Sequence, residues 1–324
     1  MLILNKQDIT TCYTMLDAIK DSKKALTNYS QGLTTVPLRT AITAKNGQNL
    51  FMPAYNQEDQ ATGIKIVSVF PNNPKIGKPA VPAHMLLLDG QTGEISCLMD
   101  GTYLTQLRTG AVQGLATDLL AKKNAKTALL IGTGGQAAAQ LEAMLTVRPL
   151  TKIYVSSINL AEAQEFAITM AQKFKETTVS IEAVSNPNQV VPSADIITCV
   201  TTSKLPVFDG RLIQPGTHIN GVGAYTPSML ELPVEAITKA TIRTVDTLDG
   251  VMSEAGDILE AINQTTLTLK DFSEIGQLDT TTLRQTDQDI TLFKTVGSAI
   301  LDVVTAQTIY TLALSKKIGQ KVQL

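Results

Sequence analysis

Between residues 8 and 30 the apolar side chains Ile9, Cys12, Met15, Leu16 and Ile19 recur at the spacing of one helix face, and Gly32 ends the run. This predicts an opening helix. From Leu38 to Met99 the pattern changes to short strand-like runs punctuated by Asn46-Gly47, Asp89-Gly90 and Gly93, residues that suit tight hairpin turns. An antiparallel sheet is expected there. Val112, Leu115, Leu119 and Leu120 then mark one face of a helix that Lys122-Lys123-Asn124 closes. From Thr127 to about Asp246, the apolar runs ALLIG, KIYVSS, VSIEAV, DIITCV, HINGVG and ATIRTV alternate with helical segments. Strands joined by helical connections lie parallel in one sheet. A helical stretch follows around 253–262, and Val296, Ile300, Leu301, Val304 and Ile309 predict a long C-terminal helix over 293–315.

The chain has 324 residues, enough for about two domains, and its 44% apolar content can fill two cores. A formal charge of −2, with no basic run, argues against nucleic acid or an anionic membrane surface as a partner. No apolar stretch has the length of a bilayer span, and Asp8 and Asp17 interrupt the region where a signal peptide would be apolar. Cys12, Cys97 and Cys199 are an odd number without paired spacing, which fits small buried thiols in a reducing cytoplasm. His84 and His218 are the only histidines and have no neighbouring ligands, so no metal site is expected. Both read as structural residues at the starts of strands.

The chemistry enters at 127–139, TALLIGTGGQAAA. An apolar strand delivers the chain to Gly132, where a turn needs a conformation that side-chained residues avoid. Gly134 removes the Cβ that would hold a pyrophosphate off the backbone, and Ala137 keeps the next helix close to its strand. The first N–H groups of that helix then face the phosphate. G-x-G-x-x-A between a strand and an apolar helix predicts a Rossmann dinucleotide-binding domain. The strand after it ends in Ser156-Ser157-Ile158-Asn159, with no acid to repel a 2′-phosphate and no arginine to bind one. Ser157 suits either NAD or NADP, and the missing acid leans the reading slightly to NADP.

A sheet-rich domain followed by a dinucleotide domain, with a set of motifs in order, resembles the ornithine cyclodeaminase/mu-crystallin family nearly end to end. The residues are Pro37-Leu38-Arg39, Gly63-Ile64-Lys65-Ile66-Val67 with Phe70-Pro71-Asn72-Asn73, Leu107-Arg108-Thr109-Gly110-Ala111, and Ile131 to Ala137. Ala194-Asp195-Ile196 with Thr201-Thr202-Ser203, Ile219-Asn220-Gly221-Val222-Gly223, and Phe293-Lys294-Thr295-Val296-Gly297 complete the match. The resemblance implies an α/β fold: an N-terminal α+β substrate-binding and dimerisation domain over 1–120, completed by 298–324, and a Rossmann NAD(P)-binding domain over 121–297. It implies a homodimer and a small amino-acid or imine substrate.

Arg39, Lys65 and Arg108 match the family's substrate-carboxylate residues. A guanidinium fork grips a carboxylate through two parallel hydrogen bonds, and a lysine among other cations can also pass a proton. Lys65 stands between Ile64 and Ile66, a costly place for a charge unless its face opens on a site. Arg108 reads as the start of a helix, where a nearby anion would offset its conflict with the dipole. Asp302 reads as a helix cap or ion-pair member. The resemblance adds Thr109, Gly132, Thr133, Gly134, Gly135, Gln136, Ala137, Ser157, Thr201, Thr202, Val222, Gly223 and Thr295 as the cofactor-binding set.

One departure bears on activity. Cyclodeaminase members carry an aspartate after the V-G-x element, whereas this chain has Tyr225 there. A phenol with a pKa of about 10 is neutral at pH 7 and is a poor base. What remains suits hydride transfer between the nicotinamide and the Cα of an amino acid or its cyclic imine. Ornithine cyclodeamination and a crystallin-like binding role are the alternatives. They separate on net nicotinamide turnover, ammonia release, and cofactor binding with neither.

Overall fold

The computed structural model describes residues 1–278 and 283–323. The chain divides into two compact units, residues 1–108 with 298–324 and residues 109–297.

In the first unit β1 (Leu2–Leu4) is followed by α1 (Lys6–Cys12) and α2 (Met15–Ser30). The single opening helix expected over 8–30 is therefore two helices. Asn5 and Thr14 each cap a new start, with Asp8 and Asp17 returning a hydrogen bond to the cap backbone, and Tyr13 between them is extended. Next come β2 (Thr34–Thr35), β3 (Thr40–Ala44), β4 (Gly47–Asn56), β5 (Ala61–Val69), β6 (Ala83–Leu88) and β7 (Ile95–Asp100). The sheet runs from the terminal strand Gln320–Lys321 through β1, β7, β6, β5 and β4 to β2, with β3 also on β4. Its meander is antiparallel, as expected, while β1 joins β7 in parallel. The β3–β4 turn is Lys45-Asn46, one residue earlier than the sequence suggested, and Gly47 already pairs with Ala44. A Cβ on Gly47 would stand 2.3 Å from the Val69 carbonyl oxygen, so glycine serves there for close packing. Along β4 and β5 every second residue is buried, and the C-terminal helix (Ala299–Lys316) packs on these strands.

Helix α3 (Gly101–Leu120) contains the boundary between the units. The second unit alternates β8 (Thr127–Ile131), α4 (Ala137–Val147), β9 (Lys152–Ser156), α5 (Leu160–Lys173), β10 (Ser180–Val184), β11 (Ile196–Cys199) and β12 (His218–Gly221). Then follow α6 (Val234–Lys239), β13 (Ile242–Val245), α7 (Leu248–Glu254), α8 (Gly256–Gln264), β14 (Ser273–Glu274) and β15 (Thr291–Lys294). The order is β10-β9-β8-β11-β12-β15-β13-β14, all parallel. This is the doubly wound Rossmann arrangement, and its strand order reverses between β8 and β11, where such sheets bind ligands beyond their carboxyl ends. Two expectations change. The helix expected from residue 293 begins at Ala299, because Phe293 and Lys294 belong to β15, a buried strand inserted between β12 and β13. The helical stretch at 253–262 is α7 and α8, broken at Ala255.

Candidate active site

In the first unit, the two-residue period of β5 decides where Lys65 goes. Ala61, Gly63 and Val67 face the core, and Lys65 faces it with them, paired across the strands with Met52 and Met85. A lysine that is 1% exposed needs a partner, and the C-terminal helix supplies one. Lys65 Nζ donates to Asp302 Oδ2 at 2.7 Å, and Arg108 Nε donates to Asp302 Oδ1 at 2.9 Å. All three groups are buried. The terminal nitrogens of Arg108 donate to none of the described residues, so its fork remains available to a second anion. Burial, then the charge of Arg108 and, further down, that of Arg39, bring the Lys65 ammonium down to about 7 against the opposing pull of Asp302. The structure therefore brings Lys65 and Arg108 together on Asp302, and the half-buried Arg39 is near enough for its charge to act on Lys65.

One expectation about these residues is corrected and another sharpened. Arg108 lies inside α3, well past its start at Gly101, so the helix-dipole argument does not apply. Its charge is balanced by Asp302. Asp302, read as a cap or ion-pair member, is the shared counterion of both cations. A lone acid inside the run AILDVVTAQ was the signal for it, since a carboxylate on a buried helix face requires a partner.

The glycine turn of the second unit has the geometry expected of a dinucleotide site. Gly132 has φ +110°, and a Cβ there would approach the Val200 carbonyl oxygen to 2.6 Å. Around Gly134 a Cβ would meet nothing within 4 Å, which leaves open space where a phosphate would approach the backbone. Gly134 and Gly135 are exposed, and Thr133 and Gln136 half-buried. Gln136 caps α4 without a side-chain hydrogen bond, and its Oε1 is buried with no partner among the described residues. A helix N-terminus with no side-chain cap and an open glycine fit a bound pyrophosphate. Ala137 is fully buried against the sheet. Gly110, which follows Thr109 on α3, packs so closely on α4 that a Cβ would stand 2.5 Å from the Ala139 carbonyl oxygen. Thr109 is thereby carried to the N-terminal end of α4.

Ser157, half-buried, follows β9 just before Asn159 caps α5. Thr201 and Val222-Gly223 follow β11 and β12, and Thr202 is exposed. Thr295 is different. It is 1% exposed and its hydroxyl donates to Asp246 Oδ2 at 2.5 Å, with Val296 and Gly297 N–H groups donating to the same oxygen. That side chain holds its own loop. Tyr225 is half-buried and packs on the core beneath the sheet. His218 lies between Thr291 Oγ1 at 2.9 Å and Asn220 Oδ1 at 3.0 Å, and burial brings its ring down to about 3, so it is neutral and structural. Sequence reading missed Glu231, a buried acid whose role emerges only from its partners.

The profile of the ornithine cyclodeaminase/mu-crystallin family matches residues 1–317. A Delta(1)-pyrroline-2-carboxylate reductase of Bacillus cereus is 35% identical, with 100% of each chain covered. The structure of Thermococcus litoralis Delta(1)-pyrroline-2-carboxylate reductase in complex with NADH and L-proline superposes with a TM-score of 0.93 at 37% identity, over 99% of this chain and 100% of that one. An archaeal alanine dehydrogenase dimer with bound NAD gives a TM-score of 0.89 at 32% identity, over 100% of this chain and 99% of that one. Among the described residues, no helix is long and apolar enough to cross a membrane. With the family profile spanning nearly its whole length and relatives of over 30% identity covering it end to end, the chain belongs to the ornithine cyclodeaminase/mu-crystallin family.

Proposed function

We propose that this protein is an NAD(P)H-dependent reductase of a cyclic α-imino acid, converting Δ1-pyrroline-2-carboxylate to L-proline. The observation that carries the reading is the buried Lys65–Asp302–Arg108 constellation. It combines an available guanidinium fork with an ammonium that titrates near neutrality. Arg108, together with Arg39, grips the imino acid's carboxylate. Lys65 holds a proton for the ring nitrogen, and Asp302 fixes the lysine and arginine side chains. A nicotinamide held by the second unit would supply the hydride for C2 of the C=N bond. As that bond is reduced its π pair moves to nitrogen, and Lys65 Nζ delivers the proton there. A pKa near 7 suits this task, because an ordinary lysine holds its proton too firmly. The pyrophosphate would lie on Gly132–Ala137 and Thr109, the ribose near Ser157, and the nicotinamide along Thr201, Thr202, Val222, Gly223 and the Thr295 loop.

The likeness to pyrroline-2-carboxylate reductases favours the five-membered imine over pyruvate with ammonia, the substrates of an alanine dehydrogenase. Tyr225 disfavours cyclodeamination, since a neutral phenol neither holds an ammonium nor accepts its proton readily. The test is nicotinamide absorbance with Δ1-pyrroline-2-carboxylate, pyruvate plus ammonia, and ornithine, each with NADH and NADPH, alongside an ammonia assay. Consumption only with the cyclic imine is expected. Ammonia from ornithine with no net nicotinamide change would overturn the proposal. The same reading includes a cytoplasmic homodimer, supported by the dimeric archaeal relative, and sedimentation giving a 34.7 kDa species would refute the dimer.

A further inference from the structure

Glu231 is fully buried and accepts hydrogen bonds from two separate loops. Its Oε2 accepts from Thr201 N at 2.8 Å and Thr201 Oγ1 at 3.2 Å, beyond the end of β11. Oε1 accepts from Gly223 N at 2.6 Å and Ala224 N at 3.1 Å, beyond the end of β12. The loops are in intimate contact: a Cβ on Gly223 would stand 2.1 Å from the Thr201 backbone nitrogen and oxygen. Behind the carboxylate lies Lys294 of β15, with Nζ 3.8 Å from Glu231 Oε1 and 3.1 Å from Asp257 Oδ2, both ends buried. One carboxylate thus satisfies three backbone N–H groups that neither strand can pair, and a lysine–aspartate pair fixes it from below.

We propose that Glu231 is a positioning residue that sets the separation and orientation of the β11 and β12 loops, and thereby the affinity of the enzyme for its dinucleotide. The proposal rests on the reading of Thr201, Thr202, Val222 and Gly223 as cofactor-binding. Only a carboxylate fits the role, because both oxygens accept and neither donates. Glutamine at this position would turn an N–H₂ toward donors on one of the loops, while leaving Lys294 and Asp257 as a matched pair. The loss therefore falls on the loops rather than on charge balance in the core.

NADH titrated by fluorescence into the intact protein should show Glu231→Gln raising Kd about 10- to 100-fold. The KM for Δ1-pyrroline-2-carboxylate at saturating NADH should remain within about twofold of wild type, a split that general loss of structure would not give. Glu231→Asp keeps the charge but is one methylene shorter, reaches one loop, and should give an intermediate Kd. If Glu231→Gln does not fold, amide exchange on the wild type decides: the Thr201, Gly223 and Ala224 amides should be protected in the cofactor-free protein. A wild-type Kd in Glu231→Gln, or free exchange at those three amides, overturns the proposal. Wild-type protein that binds neither NADH nor NADPH would instead overturn the dinucleotide reading beneath it.

Discussion

Replacing Lys65 with Met and Asp302 with Asn should separate catalysis from stability within one buried cluster. The wild-type cluster holds two buried cations on one carboxylate, with Lys65 and Arg108 at 2.7 and 2.9 Å from Asp302. Lys65→Met removes a charge but leaves Arg108 and Asp302 matched, and methionine refills the lysine's unbranched volume. Exchange of a buried ionic group for an apolar one of similar size is commonly neutral or stabilising. Its melting temperature should therefore hold or rise. Asp302→Asn leaves two cations without a counterion, and breaking a buried pair from one side costs about 3–5 kcal/mol. That is a fall on the order of 10 °C. Catalysis orders differently. Lys65→Met loses the proton donor and one charge-assisted contact, about 2–4 kcal/mol of transition-state stabilisation, or ~30- to 1000-fold in kcat/KM. NADH affinity should be unchanged. Because Lys65 must be protonated for imine reduction and titrates at about 7, wild-type kcat/KM should fall as pH rises through that value. The limb should vanish from the residual activity of Lys65→Met. Melting curves, nicotinamide absorbance and NADH titration on the two variants complete the test. Lys65→Met retaining kcat/KM within about threefold of wild type, or melting below Asp302→Asn, would refute the cluster as drawn.

Tyr225→Asp should introduce or raise ammonia release from ornithine while weakening imine reduction; a wild type that already releases ammonia at an ordinary enzymatic rate would contradict the role given to Tyr225. Gly132→Ala forces a side chain into φ +110° and against Val200, so a loss of about 1–3 kcal/mol in stability and weaker NADH binding are expected in denaturant and fluorescence titrations. An unchanged Kd would argue against the phosphate turn. His218 titrates at about 3 folded and 6.5 unfolded, so the unfolded chain binds the extra proton between those values, and its stabilising contribution is lost as pH falls from 6.5 toward 3. Against wild type, His218→Asn should remove up to about 1.4 kcal/mol per pH unit of slope in that window, measured by denaturant unfolding, and parallel slopes would disprove it.

The residues that by themselves announced chemistry were those whose local rules are broken. Gly132 and Gly134 mark a turn because only glycine tolerates the required φ and the open approach, and that requirement is written within six residues of chain. Lys65 between Ile64 and Ile66 declared that a charge was being placed on a core face, since alternation along a strand is equally local. The parallel sheet followed from strands separated by helical segments. What sequence could not supply was the identity of partners far away along the chain. An acid in an apolar helix says that Asp302 must be paired, but only the packing of the C-terminal helix on β4 and β5 selects Lys65, 237 positions distant. Glu231, between Leu230 and Leu232, is likewise a charge among apolar neighbours, but nothing local names its partners. It becomes legible when the parallel register of β11 and β12 sets their outgoing loops side by side and leaves three N–H groups to satisfy. The sequence pattern places Phe293 and Lys294 in the C-terminal helix, because a run this short fits either period and carries no local mark of a strand. The gap between β12 and β13 in the sheet decided for strand. Backbone conformation is dictated over a few bonds and so is written locally, whereas charge pairing and strand order depend on which surfaces meet, and that is decided only when the whole chain is packed.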